Sequence, residues 1–285
     1  MTGAIHKVVV GTDLSPAATG AVAWAGALAQ DANAELIPVL ALDDLGPDTS
    51  PNTALELRRS FAKLIDDEVD RLGLSEISRS AVVEFEDPRV LVPKLVAEVG
   101  ASVLVVGRTG AGGFPGLGFG GTAGHLAHHV ECPVVVVPPD VEVGVGLDWV
   151  IGVDGSDANR AALEWTVETA EQIGGDVHAA YAYDPLLGPS SPPWLKPDDD
   201  VGIEGRSARA LVDEMASTRP ITFERLDGHR IPAILRAGSR HNTRAIVVGA
   251  KGAGSWGGLR LGRVPTQLML HAEHPVIIVK GTERG

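Results

Sequence analysis

Two stretches of this chain carry glycines at a spacing suited to holding an anion. The first reads Gly107-x-x-Gly110, nine further residues, then Gly120; the second reads Gly249-x-x-Gly252, nine residues, then Gly262. Each follows a β-branched apolar run and precedes a helical pattern, so the unpaired backbone N–H groups of a helix start lie beside it. Missing side chains let such a backbone approach a phosphate closely. Neither stretch is a Walker A loop, because no Gly-Lys-Ser/Thr follows. Neither is the dinucleotide fingerprint, which belongs after the first strand, where only Gly11 or Gly152 stands. A glycine-rich surface loop without a ligand is the competing reading. An aspartate also closes the first strand of each half, Asp13 and Asp154. A phospho-acceptor at those positions needs further carboxylates beside it to hold magnesium, and residues 8–12 and 150–153 supply none. Capping of the next helix is the plain alternative for both.

These groups recur because the chain is a tandem duplication. Asp13 and Asp154, Gly107 and Gly249, and Pro133 and Pro275 match at an offset of 141 or 142 residues, each within a longer similar segment. The joint lies in Pro138–Asp148, where prolines, acids and glycines end one apolar strand before the next begins. It divides the chain into domains at 1–142 and 146–285.

Each half is expected to run as follows. A buried strand (8–10; 150–153) leads to a helix started by Ser15-Pro16, or by Ser156 or Asp157. A second strand (35–42; 176–183), a polar loop (43–53; 184–200) and a helix (54–72; 203–217) come next. A third strand (80–86; 221–226), a short helix and a buried fourth strand (103–106; 245–248) precede the glycines. A helix (122–130; 265–272) and a last strand end the half. Strands alternating with helices predict an α/β fold, here two tandem doubly wound parallel-sheet domains. Ligands of such sheets bind beyond the carboxyl ends of the strands, where the strand order reverses. Both the aspartates and the glycines belong at that edge.

The combination of Val-x-x-Asp-x-Ser, Gly-x-x-Gly-x9-Gly and His/Cys-Pro-Val before the last strand resembles the universal stress protein family in its tandem form. The resemblance covers nearly the whole chain. It implies domains like the adenine-nucleotide alpha-hydrolases and ATP as ligand, with or without magnesium. Carried across residue by residue, Asp13 and Ala41, or Asp154 and Ala182, face the base. Gly107, Gly110 and Gly120, or Gly249, Gly252 and Gly262, surround ribose and phosphates. The positions after the third glycine take the phosphates; here they are Gly121 and Thr122, or Arg263 and Val264. Both halves depart from the family there, which usually places serine or threonine directly after that glycine. Thr122 stands one position displaced, and the second half continues Arg263-Val264-Pro265. Arg263 either contacts a phosphate or fills the pocket. Lys251 and Arg260 add positive charge to the same loop. The family's nucleotide-dependent role in the stress response is the implied function; a structural or partner-interaction module of the same fold that binds no nucleotide is the alternative. Pairing of the last strands within the chain, and a homodimer, are also implied.

Other features exclude more than they suggest. Lys and Arg total 24 against 37 Asp and Glu, a net charge of −13, so nucleic acid and anionic membranes are not expected partners. One cysteine makes no intrachain disulfide. The N-terminal apolar run is too short for a signal peptide, and no stretch reaches the roughly 20 apolar residues of a membrane span. A cytoplasmic location is therefore expected. No residue stands out as a water-activating base, so hydrolysis, if any, is expected to be slow. His125, His128 and His129 are read as solvated or helix-end residues, and no metal ligand is expected. Cys132, Trp24 and Trp165 are read as core, and Asp198–Asp200 as part of a solvated loop.

Overall fold

The computed structural model describes residues 4–42, 49–110, 121–144, 146–183, 202–216, 219–252 and 261–281. The chain divides into two compact units, Thr2–Gly144 and Val145–Gly285. In the first, the order is β1 (Lys7–Gly11), α1 (Pro16–Ala32), β2 (Glu35–Leu42), α2 (Pro51–Arg71), β3 (Val82–Phe85), α3 (Pro88–Val99), β4 (Val103–Gly107), α4 (Gly121–His129) and β5 (Val134–Val137). The second runs β6 (Asp148–Gly152), α5 (Asp157–Ile173), β7 (Val177–Tyr183), α6 (Gly202–Met215), β8 (Ile221–Asp227), α7 (Arg230–Arg240), β9 (Thr243–Gly249), α8 (Arg263–His271) and β10 (Val276–Val279).

Every strand pair within a unit is parallel. The order is β3-β2-β1-β4-β5 in the first unit and β8-β7-β6-β9-β10 in the second. Strand order therefore reverses between β1 and β4, and between β6 and β9. Right-handed crossovers then send the helices before and after the reversal to opposite faces. Thr19 of α1 donates to Glu68 of α2 on one face, while α3 packs on α4. In the second unit Arg160 of α5 grips Glu214 of α6 at 2.7 Å, and α7 packs on α8. Covered on both sides, the central strands are valine- and isoleucine-rich throughout: Val8–Val10, Val103–Val106 and Ala245–Val248 are all buried. Trp24 and Trp165 are buried in this layer, as is Cys132.

The helix starts follow from local chemistry. Ser15, Ser50 and Ser156 are N-caps whose hydroxyls accept from Ala18, Thr53 and Asn159 N–H. Of the two candidate caps of α5, Ser156 rather than Asp157 is therefore the one used. Helix α2 begins at Pro51, three residues before the expected 54, because Ser50-Pro51 repeats the signal of Ser15-Pro16. Helix α8 likewise opens at Arg263, which places Pro265 in the first turn, where no N–H is needed.

The turns between α1 and β2 and between α5 and β7 differ. Asn33 closes α1 at φ 51°, whereas Gly174 and Gly175 close α5 at φ 89° and 92°. A Cβ on Gly175 would lie 1.9 Å from the Leu147 carbonyl oxygen. Gly100, at φ 63°, has nothing within 4 Å of such a Cβ. Gly100→Ala is therefore expected to cost about 1 kcal/mol from backbone strain alone. Gly175→Ala is expected to cost clearly more, because backbone must also move. Urea unfolding of the two variants checks this, and equal losses would contradict the steric argument.

Candidate functional site

In the first unit a cavity of about 370 Å³ opens at the carboxyl ends of β1, β2 and β4. That volume falls among small-molecule sites, which run from about 300 to 1,000 Å³. One wall is apolar, with Val39, Ala41, Pro88, Val92 and Leu126. The other is backbone and polar groups: Asp13, Gly107, Arg108, Gly110, and Gly121 with Thr122 at the start of α4. The first-turn N–H groups of α4 thus stand at the polar end, where a helix favours an anion. Asp13, Ala41, Gly107, Gly110, Gly121 and Thr122 all line this one space; Gly120 lies outside the described residues.

The aspartate is held by its own turn. Asp13 Oδ1 accepts from Ser15 N–H at 3.0 Å, and Ser15, not Asp13, caps α1. Its Oδ2 points at the glycine loop: a Cβ on Gly110 would lie 2.5 Å from it. The second unit repeats this arrangement. Asp154 Oδ1 accepts from Ser156 N–H at 3.0 Å and from the Ser156 hydroxyl at 2.6 Å. A Cβ on Gly252 would lie 2.6 Å from Asp154 Oδ2. The second motif glycine is therefore glycine in both halves because the strand-end carboxylate occupies the space of its side chain. Helix capping is not the role of either aspartate.

Around that shared geometry the two units diverge. Thr12 is buried and its hydroxyl accepts from Leu14 N–H at 3.1 Å. Leu14 follows at φ 60°, where the second unit has Gly155 at φ 73°. The position of Ala18, which lines the first cavity, is taken by Asn159. Asn159 is 3% exposed and braces the turn, donating to Gly152 O at 2.8 Å and accepting from Asp154 N–H at 3.2 Å. Gly262 N–H donates to Ala250 O at 2.7 Å, and the Thr266 hydroxyl donates back to Gly262 O at 2.9 Å. Arg263 is exposed at the start of α8, Val264 and Lys251 are half-buried, and Gly249 is buried at the end of β9. The Ala182 side chain joins a core cluster with Val150, Leu226 and Ala233. Arg260 and Asp198–Asp200 lie outside the described residues.

Two contributors were not singled out from sequence. Arg108 stands inside the Gly107-x-x-Gly110 motif itself, and burial pushes its guanidinium pKa down. Asn159 looks like one more polar helix residue until its depth is known. Of the histidines on α4, His125 and His129 stack at 4.0 Å, and His129 Nδ1 lies 2.8 Å from the His125 carbonyl oxygen. Helix α3, which supplies Pro88 and Val92, is capped by Asp87, whose carboxyl the Arg89 guanidinium holds at about 2.

A doubled parallel α/β unit with an aspartate facing a glycine loop at the strand reversal is the plan of a known family. The profile of the Universal stress protein family matches residues 4–138 and again 149–280, so the chain belongs to that family. A universal stress protein of Mycobacterium tuberculosis is 25% identical over 296 residues, covering 96% of each chain. One from Mycolicibacterium smegmatis is 26% identical over 292 residues, covering 96% of this chain and 97% of its own. The crystal structure of a universal stress protein from Archaeoglobus fulgidus shares the fold with a TM-score of 0.73 at 17% identity, covering 98% of this chain and 99% of that one. Among the described residues no helix is long and apolar enough to cross a membrane.

Asn159→Leu removes both hydrogen bonds of the brace while keeping the volume. The Gly152 carbonyl and the Asp154 amide each lose the Asn159 side chain as a partner, at an expected cost of about 1–3 kcal/mol for the two hydrogen bonds. Urea unfolding followed by circular dichroism measures it. Wild-type stability in this variant would mean the brace is not needed.

Proposed function

We propose that the first unit binds an adenine nucleotide, ATP by the family resemblance, and that its occupancy acts as a signal in the stress response. The observation that carries this reading is the convergence of Asp13, Ala41, Gly107, Gly110, Gly121 and Thr122 on one cavity. Its apolar wall suits a flat base, placed between Ala41, Val39 and the α3 residues Pro88 and Val92. Asp13 faces the base and ribose end as an acceptor. Arg108, Thr122 and the N-terminus of α4 give the phosphates a cation, a hydroxyl and backbone donors. Magnesium, where it accompanies the nucleotide, is carried by the phosphates, since the cavity offers one carboxylate among its lining residues.

The second unit favours a different reading. There the Gly262 N–H already serves Ala250 O, and Asn159 stands where the first cavity has Ala18. These observations support a structural or partner-binding role for that half.

Calorimetry of the full chain with ATP tests both readings. One nucleotide per chain is expected, lost in Asp13→Ala and retained in Asp154→Ala. Gly110→Ala should weaken binding by roughly 10-fold or more, about 1.4 kcal/mol, because its Cβ displaces the Asp13 carboxylate. Two nucleotides per chain would overturn the assignment of the second half. No adenine nucleotide bound, and none carried through purification, would reject the nucleotide reading itself.

A further inference from the structure

At the other edge of the second unit's sheet, away from the glycine loop, a group of titratable side chains meets. His178 on β7 and Glu224 on β8 are diagonal neighbours on one face, since His178 pairs with Thr222 and Ala180 with Glu224. The same face carries Val150, Ala180 and Leu226 against Ala233 and Ala237 of α7. Helix α7 covers it, and His241, the residue that ends α7, comes down on the pair. The rings of His178 and His241 stack with centroids 3.6 Å apart. Glu224 Oε1 lies 2.6 Å from His241 Nε2 and 3.4 Å from His178 Nδ1. The three side chains are only 13% (His178), 20% (Glu224) and 21% (His241) exposed. His178 Nδ1 and His241 Nε2 are both buried, and neither makes a hydrogen bond of acceptable geometry, even to the carboxylate beside them.

We propose that His178, Glu224 and His241 bind a divalent transition-metal ion of the zinc class. One ligand atom from each lies within 4.8 Å of the others. Metal–ligand bonds of about 2.0–2.1 Å in a tetrahedral site put neighbouring ligand atoms roughly 3.3 Å apart. The separation of Glu224 from His178 already has that size; Glu224 and His241 must part, and a stacked ring must turn so that both in-plane nitrogen lone pairs meet at one point. Two imidazoles and a carboxylate suit zinc and its neighbours, whereas magnesium and calcium prefer oxygen alone. Asp148 completes the pattern. Its Oδ1 accepts from Asp176 N–H at 3.0 Å, and its Oδ2 stands 3.9 Å from His178 Nε2. A carboxylate behind an imidazole favours the tautomer with the proton on Nε2, which leaves the Nδ1 lone pair for the ion. Three protein ligands leave a fourth position to water.

The fold does not require these residues. By strand register, β2 carries Ile37 where β7 carries His178, and β3 carries Val82 where β8 carries Glu224. An apolar pair thus serves the first unit at the same two places. The site stands apart from the glycine loops, so it holds or fails independently of nucleotide binding.

Cobalt titration of the full chain after chelator treatment tests the proposal. Uptake of one ion per chain is expected, with the visible absorption of tetrahedral cobalt, displaced by zinc. Zinc should raise the thermal midpoint of the wild type, since it binds the folded state alone. Glu224→Gln and His241→Gln should each lose the spectrum, and Asp148→Asn should weaken binding by about 10- to 100-fold. His125→Ala with His129→Ala should bind as the wild type does. If His241→Gln fails to fold, the wild-type titration and Glu224→Gln decide. Absence of stoichiometric cobalt uptake by the wild type, or an unchanged spectrum in Glu224→Gln, would overturn it. So would metal uptake lost with His125 and His129.

Discussion

The carboxylate that ends the first strand and the glycine after the fourth need the same few cubic ångströms, and only the absence of a side chain lets both be there. Strand order reverses between those two strands in each unit, so their carboxyl ends diverge and leave a crevice. Asp13 and Asp154 are turned into it by hydrogen bonds from the serine two residues on. Gly110 and Gly252 meet them from the far side, with room for no Cβ.

Duplication preserved that constraint and relaxed what surrounds it. The residue after the aspartate is left-handed in both units, borne by Leu14 in one and by Gly155 in the other. A Cβ on Gly155 would run into the backbone of α6 at Ser207 and Ala208, so the second turn has become committed to glycine by its neighbour. Thr12 braces the first turn through its hydroxyl, and Asn159 braces the second through its amide. The first solution leaves small residues around an open cavity. The second places a hydrogen-bonded asparagine where the first has Ala18, and its Gly262 amide bonds Ala250 O.

The opposite sheet edge shows the same freedom in another form. In a buried parallel sheet, any apolar pair of suitable size satisfies a position under a covering helix, as Ile37 and Val82 do. Replacing such a pair by histidine and glutamate demands a compensating partner. His241 and Asp148 supply it from two further segments of the chain. A buried polar group of this size that merely satisfied itself would show complete hydrogen bonding; here two imidazole nitrogens go without.

Much of this was legible in sequence because it rests on local rules. Alternating valine runs and helical patterns set the parallel α/β plan. Ser-Pro set the starts of α1 and α2, although the polar neighbours of Pro51 read as loop. Repeated aspartates and glycines at one spacing marked the ligand-bearing edge, since chain order alone carries strand ends there. Tertiary structure decided what depends on depth and on distance between remote segments. It showed that Arg108 lines a cavity, that Asn159 is a buried brace, and that the Gly262 amide is already engaged. It brought His178, Glu224, His241 and Asp148 together from positions up to 93 residues apart. No spacing rule announces such a group, because register between parallel strands is set by the crossovers between them and not by sequence separation.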